Sequence, residues 1–230
     1  MSKGRKFGVL GTGPVGQTVA AKLAELGHSV FVGTRDPAVT LARTSPDTFG
    51  NPPFSVWREK HPAIELGTLA QAAAHGEILV NATSGSGSIE ALKAAGEGHL
   101  GDKILIDIAN PLDFSKGMPP SLSVCNTDSL GEQLQRAFPS LKVVKTLNTM
   151  NAYLMVGPAQ LVGGEHTAFV SGNDAAAKAT VTEVLKSFGW KDILDLGDIS
   201  TSRGTEMILP IWVRIWGATK TPMFQFKVVR

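Results

Sequence analysis

The sequence predicts an α/β protein built on a doubly wound, mostly parallel sheet with a small C-terminal α/β extension. Three observations support this prediction. A glycine-rich turn joins a strand to a helix near the N-terminus, short apolar runs alternate with helical patterns, and 230 residues suffice for one large domain with a small addition. Parallel strands need long, usually helical crossovers, so this alternation places helices on both faces of one sheet.

The glycine-rich turn is the most informative stretch of the chain. An apolar strand that ends at Leu10 runs into Gly11-Thr12-Gly13-Pro14-Val15-Gly16, and a helical pattern follows. In a Gly-x-Gly-x-x-Gly turn, the first glycine makes the bend, the second lets a pyrophosphate approach the backbone, and the third lets the helix pack on the strand. A second strand at residues 29–33 completes the unit. The stretch predicts a Rossmann-type dinucleotide site with phosphates at the helix N-terminus.

The residues after the second strand bear on the choice between NAD and NADP. An NAD site usually has an acidic residue here for the ribose hydroxyls, whereas this chain has Thr34 and Arg35. A hydroxyl and a planar guanidinium suit a 2′-phosphate. The sequence therefore favours NADP(H), bound through Thr34 and Arg35, while the neighbouring Asp36 leaves NAD open as well.

The remaining elements follow the same alternation. After an irregular stretch at residues 37–64, six further strands are predicted at residues 64–67, 77–83, 103–108, 141–147, 167–172 and 192–197. A last helix at residues 200–216 is interrupted by Pro210. Residues 1–150 are predicted to form the dinucleotide-binding domain. Residues 151–230 are predicted to form the extension, which packs on that domain and completes a cleft for a second substrate.

Composition narrows the class of protein. A hydrophobic content of 43% with 18% charged residues suits a folded globular chain, and a net charge of +2 gives no reason to expect a nucleic-acid partner. The single cysteine, Cys125, excludes an intramolecular disulfide and suits a reducing cytoplasm. Because no apolar run approaches the ~20 residues needed to cross a bilayer, we expect no membrane partner.

The predicted carboxyl ends of the strands carry hydroxyls and amides rather than proton-handling groups. Tyr153 is followed four residues later by Gly157, so the Tyr-x-x-x-Lys pair of short-chain reductases is absent. The five histidines form no recognisable pair with an acid, and no spacing suggests a metal site. The sequence therefore predicts no catalytic acid, base or metal ligand.

Several motifs now add up to a family resemblance. In order, the chain contains Gly11-Thr12-Gly13-Pro14-Val15-Gly16, Gly33-Thr34-Arg35, Ile106-Asp107-Ile108-Ala109-Asn110-Pro111, Val143-Val144-Lys145-Thr146-Leu147-Asn148-Thr149-Met150 and Phe224-Gln225-Phe226-Lys227. Over essentially its whole length it resembles the coenzyme F420-dependent NADP oxidoreductase family. That family is similar in turn to the cytosolic reductase domain of the six-transmembrane epithelial metalloreductases.

The resemblance implies direct hydride exchange between NADP(H) and a small-molecule redox cosubstrate, a deazaflavin (F420) or a flavin such as FMN or FAD. It also implies a homodimer. The nicotinamide would lie at the carboxyl ends of the later strands, so the implied cofactor-binding residues beyond the glycine turn, Thr34 and Arg35 are Asn81, Ala82, Thr83, Asn110, Asn148, Met150 and Ala152. Asn148 is a departure, because deazaflavin-using members resemble His-Thr-Ile-Pro-Ala at this point. An asparagine there looks more like the flavin-using metalloreductases.

Two other functions stay open. One is the reduction of a small imine, ketone or quinone by NADPH, which would need a proton source that the sequence does not reveal. The other is a non-enzymatic NADPH sensor that binds the cofactor without turning it over.

Overall fold

A computed structural model describes residues 4–47 and 50–230 of the chain. Residues 1–3 and 48–49 lie outside the described residues, and they include part of the irregular stretch predicted at residues 37–64. The described chain forms one eight-stranded sheet with helices on both faces, together with a separate two-stranded hairpin.

The eight-stranded sheet has the order β10-β9-β8-β5-β4-β1-β2-β3. Its strands are β1 (Lys6–Leu10), β2 (Ser29–Thr34), β3 (Glu65–Thr68), β4 (Ile78–Asn81), β5 (Ile104–Asp107), β8 (Lys142–Thr146), β9 (Thr167–Gly172) and β10 (Asp192–Gly197), and the hairpin is β6 (Leu112–Asp113) with β7 (Ser121–Leu122). The six strands from β3 to β8 across the sheet are parallel, and β9 runs antiparallel to β8 but parallel to β10. This arrangement confirms the predicted Rossmann-type, mostly parallel α/β fold.

The helices connect these strands. They are α1 (Pro14–Glu25), α2 (Pro37–Ala42), α3 (Phe54–Glu59), α4 (Leu69–His75), α5 (Ser88–Ala95), α6 (Glu97–Leu100), α7 (Leu130–Ala137), α8 (Ala152–Val156), α9 (Ala175–Ser187), α10 (Ser202–Met207) and α11 (Leu209–Thr219). Several begin at a residue whose side chain accepts a hydrogen bond from the first turn, as Thr68 does for α4 and Asp174 does for α9. These caps stabilise short helices that would be marginal in isolation.

The hydrophobic core lies on both faces of the sheet, because successive side chains of each strand point alternately to one face and to the other. Val80, Ile106 and Val144 point to the face covered by α1, α8 and α9, while Leu79 and Leu105 point to the face covered by α4, α5 and α7. Because successive side chains of a strand point to opposite faces, apolar residues at every position produce two buried faces. The polar strand ends then meet at one edge.

Three local predictions need correction. The stretch at 37–64 is not wholly irregular, because α2 and α3 form within it; Pro37 starts α2 behind the Asp36 cap. Residues 112–126, which carry no strand or helix pattern and are therefore predicted to be irregular, contain the β6–β7 hairpin. The last helix is two helices, and Pro210 lies in the first turn of α11, where its missing N–H breaks no hydrogen bond.

The C-terminal region adds strands to the same sheet. β9 pairs with β8 through residues Val144, Lys145 and Thr146, so the sheet continues from the first 150 residues into the last 80 without a break. The division at residue 150 remains a prediction. Among the described residues, no helix is long and apolar enough to span a bilayer.

Candidate cofactor site

The glycine turn has the geometry that its sequence predicts. Gly11 has φ of 122°, and a Cβ there would lie 2.5 Å from the Ala82 carbonyl oxygen. A Cβ on Gly16 would lie 2.1 Å from the Gly11 oxygen. By contrast, no described atom lies within 4 Å of a Cβ placed on Gly13. The first and third glycines are therefore needed by the protein itself, and the second faces open space.

The open position coincides with the start of α1. Gly13 is the N-cap of α1 and has no side chain to cap the first N–H groups, and Pro14 occupies the first turn. Thr12 and Val15 beside it are half-buried. Unsatisfied N–H groups at the positive end of a twelve-residue helix form a site for an anion such as a pyrophosphate.

The end of β2 presents Thr34 and Arg35. Thr34 is the last residue of the strand, and its Oγ1 lies 2.9 Å from Oγ1 of Thr40 in α2. Arg35 is exposed, and its guanidinium has no hydrogen bond or ion pair with another described residue. The Asp36 carboxylate accepts the Val39 amide at 3.0 Å as the cap of α2. Arg35 is thus available to an anion, while Asp36 already serves the helix.

The end of β4 is buried and saturated with hydrogen bonds. The Asn81 amide donates to Asp107 at 2.8 Å and to Ser88 at 3.1 Å, and its oxygen accepts the Thr83 hydroxyl at 2.6 Å. Asn81 is fully buried, whereas Ala82 and Thr83 are half-buried. Asn81 therefore orients Thr83 and the following loop, and Ala82 and Thr83 are the groups that a ligand would reach.

Asn110 and Asn148 join the ends of β5 and β8. The Asn110 Nδ2 donates to the Asn148 backbone oxygen at 2.8 Å, and the Asn148 Nδ2 donates to the Asn110 Oδ1 at 2.9 Å. Turning either amide around would bring two oxygens together, so the pair fixes both orientations. The Asn148 Oδ1 is buried and accepts no hydrogen bond within the described chain. A buried oxygen left without a donor costs about 1–3 kcal/mol.

Backbone strain occurs directly before this pair. Leu147 has φ of 59°, a left-handed conformation that is unfavourable for a leucine. Such residues persist where the surrounding structure holds them and are frequent at ligand sites. The strained turn positions Asn148 after the strand.

The two remaining candidate residues differ in exposure. Met150 is 6% exposed and packs in the core against the α1 face of the sheet. Ala152 is half-buried and begins α8, behind the cap formed by Asn151. Ala152 therefore borders the carboxyl edge, while Met150 supports it from below.

Sequence reasoning missed a buried charge cluster beneath this edge. Lys145 of β8 is fully buried, and its Nζ lies 2.6 Å from Asp107 Oδ2 and 2.9 Å from Glu206 Oε1. Burial opposes the charge of the ammonium, but the two carboxylates outweigh it and raise the pKa of Lys145. The signal that could have revealed it is a lysine near the carboxyl end of a central strand, directly after the buried Val143 and Val144.

The cluster attaches α10 to the sheet. Glu206 also accepts the amides of Leu130 and Gly131 at the start of α7, at 2.8 and 3.0 Å. At the surface of the same contact, Arg203 hydrogen-bonds Glu132, which holds the pKa of that carboxyl below its usual value. Arg203 is thus already paired. Among the described residues, no group of His, Cys, Asp and Glu could hold a metal ion.

The fold and the site define a class of protein, the NADP-dependent oxidoreductases. Comparison with known proteins agrees. The family model described as "NADP oxidoreductase coenzyme F420-dependent" matches residues 6–111. A crystal structure from Arthrobacter sp. FB24, of a protein named as a candidate F420-dependent NADP reductase, is 60% identical, covers 99% of this chain and 100% of its own, and superposes with a TM-score of 0.94. The chain belongs to the F420-dependent NADP oxidoreductase family.

More distant relatives share parts of this picture. Metalloreductase STEAP3 from Rattus norvegicus is 26% identical over 212 residues, which are 90% of this chain and 38% of that protein, so the chain spans well under half of this curated relative. A reductive aminase from Aspergillus terreus, crystallised with NADPH4, cyclohexanone and allyl amine, is 16% identical, with a TM-score of 0.61 over 95% of this chain and 63% of its own. The latter likeness shows the fold alone.

Proposed function

We propose that this protein transfers hydride directly between NADP(H) and a deazaflavin or flavin, without a side-chain acid or base. One observation carries the proposal. The carboxyl edge combines a phosphate-binding turn with amides and hydroxyls, and its buried ionisable groups, Asp107, Lys145 and Glu206, are paired with one another and closed to solvent.

NADP(H) would lie along this edge with its pyrophosphate at Gly13 and the first turn of α1. Thr12, Pro14 and Val15 would flank the phosphates and the adjoining ribose, while Gly11 and Gly16 hold the turn in shape. Thr34 and Arg35 would bind the 2′-phosphate. The free guanidinium of Arg35 and the use of Asp36 as a helix cap support NADP over NAD.

The nicotinamide would lie in the second half of the sheet, over the ends of β4, β5 and β8. Ala82, Thr83 and Ala152 would border the ring, and Asn81 and Met150 would support them. Asn110 and Asn148, which hydrogen-bond each other, would support the ring from beneath as Asn81 does, because Asn148 is only 2% exposed and its Oδ1 is closed to solvent.

The chemistry follows from what the edge contains. Bound NADPH supplies the hydride, and transfer between two redox rings requires stacking and alignment more than proton donation. The rigid strand ends and the amide pair would provide this alignment.

The proposal extends to a homodimer in the cytoplasm. Ile211, half exposed on α11, is consistent with a contact between copies.

The test is anaerobic oxidation of NADPH, followed at 340 nm, with F420, FMN, FAD and menadione as parallel acceptors. Turnover with F420 would support the deazaflavin assignment despite Asn148, and turnover with FMN or FAD would support the flavin assignment. Turnover with the quinone menadione alone would favour the reductase alternative, and tight NADPH binding without turnover on any acceptor would favour a sensor.

A further inference from the structure

The described residues between α2 and α3 line a cavity against the glycine turn. The cavity measures about 200 Å³, and its wall includes Thr12 and Gly13 of the turn, Thr40 of α2, Arg43, and the apolar side chains of Pro53 and Phe54. It is too small for a dinucleotide but has room for one phosphorylated sugar. It lies on the side of the turn towards β2, the strand that binds the adenosine half of a dinucleotide in this fold.

Arg43 is the positive charge in this wall. It follows the last residue of α2, and its backbone oxygen accepts the Ser55 hydroxyl at 3.4 Å. Its guanidinium has no ion pair or hydrogen bond with any residue that the structure describes. An unpaired guanidinium beside an open phosphate-binding turn presents its planar set of donors to a ligand anion.

The position of Arg43 is tied to the end of β2. Thr40 is 5% exposed, and its hydroxyl contacts that of Thr34, so α2 is fixed on the strand that carries Thr34 and Arg35. The cavity is therefore held in a fixed position relative to the proposed 2′-phosphate site. Arg35, in contrast, is not part of the cavity wall.

One acidic residue also contributes to the wall. Asp47 accepts hydrogen bonds from the Asn51 backbone amide at 2.9 Å and from the Asn51 side chain at 2.8 Å. Its two carboxylate oxygens are thus used to brace the loop. Asp47 keeps its negative charge, but its oxygens are engaged within the loop, and the cation that a ligand anion would meet in this wall is Arg43.

We propose that Arg43 is a specificity-determining residue that binds the 2′-phosphate from the cavity side, opposite Arg35. The inference rests on the proposed NADP(H) function, and it extends the proposed 2′-phosphate site to Arg43 and the cavity beside it. Arg43 could instead stabilise the C-terminal end of α2 through the helix dipole. The two roles differ in their dependence on the 2′-phosphate.

The experiment is calorimetric titration of the wild-type chain, Arg43→Ala, Arg43→Lys and Arg5→Ala with 2′,5′-ADP and with 5′-ADP. We expect Arg43→Ala to weaken 2′,5′-ADP about tenfold to a hundredfold, which corresponds to the loss of one charge-assisted contact, and to leave 5′-ADP unchanged. Arg43→Lys keeps the charge but not the planar donors, so its affinity for 2′,5′-ADP should lie between those of the wild-type chain and Arg43→Ala. Arg5→Ala removes the same charge at the opposite edge of the sheet and should leave both affinities unchanged.

The outcomes separate this inference from the proposed function. If the wild-type chain prefers 2′,5′-ADP and Arg43→Ala keeps the full preference, the role of Arg43 is wrong and NADP binding stands. An equal loss for both ligands, with a lower melting temperature, would assign Arg43 to the stability of α2. If the wild-type chain shows no preference, the NADP assignment itself fails.

Discussion

At the scale of single residues, the glycines of the turn differ in whether the fold itself has room for a side chain. Gly16 meets the backbone of Gly11, while Gly13 faces open space. One motif therefore contains a glycine that the fold requires and, in the proposed site, a glycine that only the approach of a phosphate would require.

This division gives a paired prediction. Gly16→Ala places a methyl group 2.1 Å from a backbone oxygen and should destabilise the protein by several kcal/mol, roughly the upper end of single substitutions. Gly13→Ala should cost at most about 1 kcal/mol of stability, since alanine is a poorer N-cap than glycine. It should weaken NADPH binding at least about tenfold, because the methyl group occupies the path of the pyrophosphate. Thermal unfolding and NADPH titration of both variants measure the contrast. A Gly13→Ala variant with unchanged NADPH affinity would contradict the placement of the phosphates.

At the scale of secondary-structure elements, α10 is held mainly by charges and hydrogen bonds. Glu206 links the helix to Lys145 of β8 and to the first amides of α7. The Ser202 hydroxyl lies 2.8 Å from that of Ser129, and a Cβ on Gly131 would meet the same serine. The close contact of α10 with α7 fixes one side of the carboxyl edge.

Removal of the buried cation should be costly. Lys145→Met leaves two buried carboxylates without their partner, and we expect the free energy of unfolding to fall by about 3–5 kcal/mol. Lys142→Met is the matched control three residues earlier on β8, where the lysine is partly exposed and 4.0 Å from Asp102. That change should stay within about 0.5 kcal/mol. Urea unfolding measures both variants, and equal stabilities would show that the cluster does not hold the structure.

The ion pair between Asp128, which precedes α7, and Arg136 of α7 gives a prediction of pH dependence. Hydrogen bonds from Arg136 lower the pKa of Asp128 to about 2 from its ordinary value of 3.8. A carboxyl with a lowered pKa contributes stability above its ordinary value and loses that contribution as the pH falls towards 2. Wild type should exceed Asp128→Asn by about 1 kcal/mol at pH 6, a modest value because the pair is partly exposed, and the difference should vanish near pH 2. Urea unfolding at stepped pH tests this, with the exposed Asp102→Asn as control.

At the scale of the whole molecule, local sequence signals predicted the parallel sheet, because each strand and its following helix carry their own apolar pattern. The same signals could not predict α2, α3 or the hairpin, whose few residues have little periodicity. They also placed the hydroxyl and amide groups at the carboxyl edge. They could not predict that the Asn81 side chain donates to Asp107 or that Lys145 pairs with Asp107 and Glu206. Such contacts join residues that are far apart in the chain.

The pairing of β9 with β8 carries the last 80 residues onto the same sheet. On this sheet, α10 is joined to β8 and to the start of α7 through Glu206. The carboxyl edge of the sheet thus carries the glycine turn after β1 and the Asn110–Asn148 amide pair after β5 and β8. Among the described residues, that edge has no free acid or base in its buried layer.

Direct hydride transfer between NADPH and the acceptor can be tested by isotope tracing. NADPH carrying deuterium in the transferred position at C4 is oxidised anaerobically by the protein with F420 in ordinary water, and the reduced F420 is analysed by mass spectrometry. Carbon-bound deuterium does not exchange with water, so direct transfer should place one deuterium at C5 of the reduced deazaflavin, and none when unlabelled NADPH is used in D2O. Deuterium drawn from the solvent, or NADPH oxidation without label in the acceptor, would contradict it.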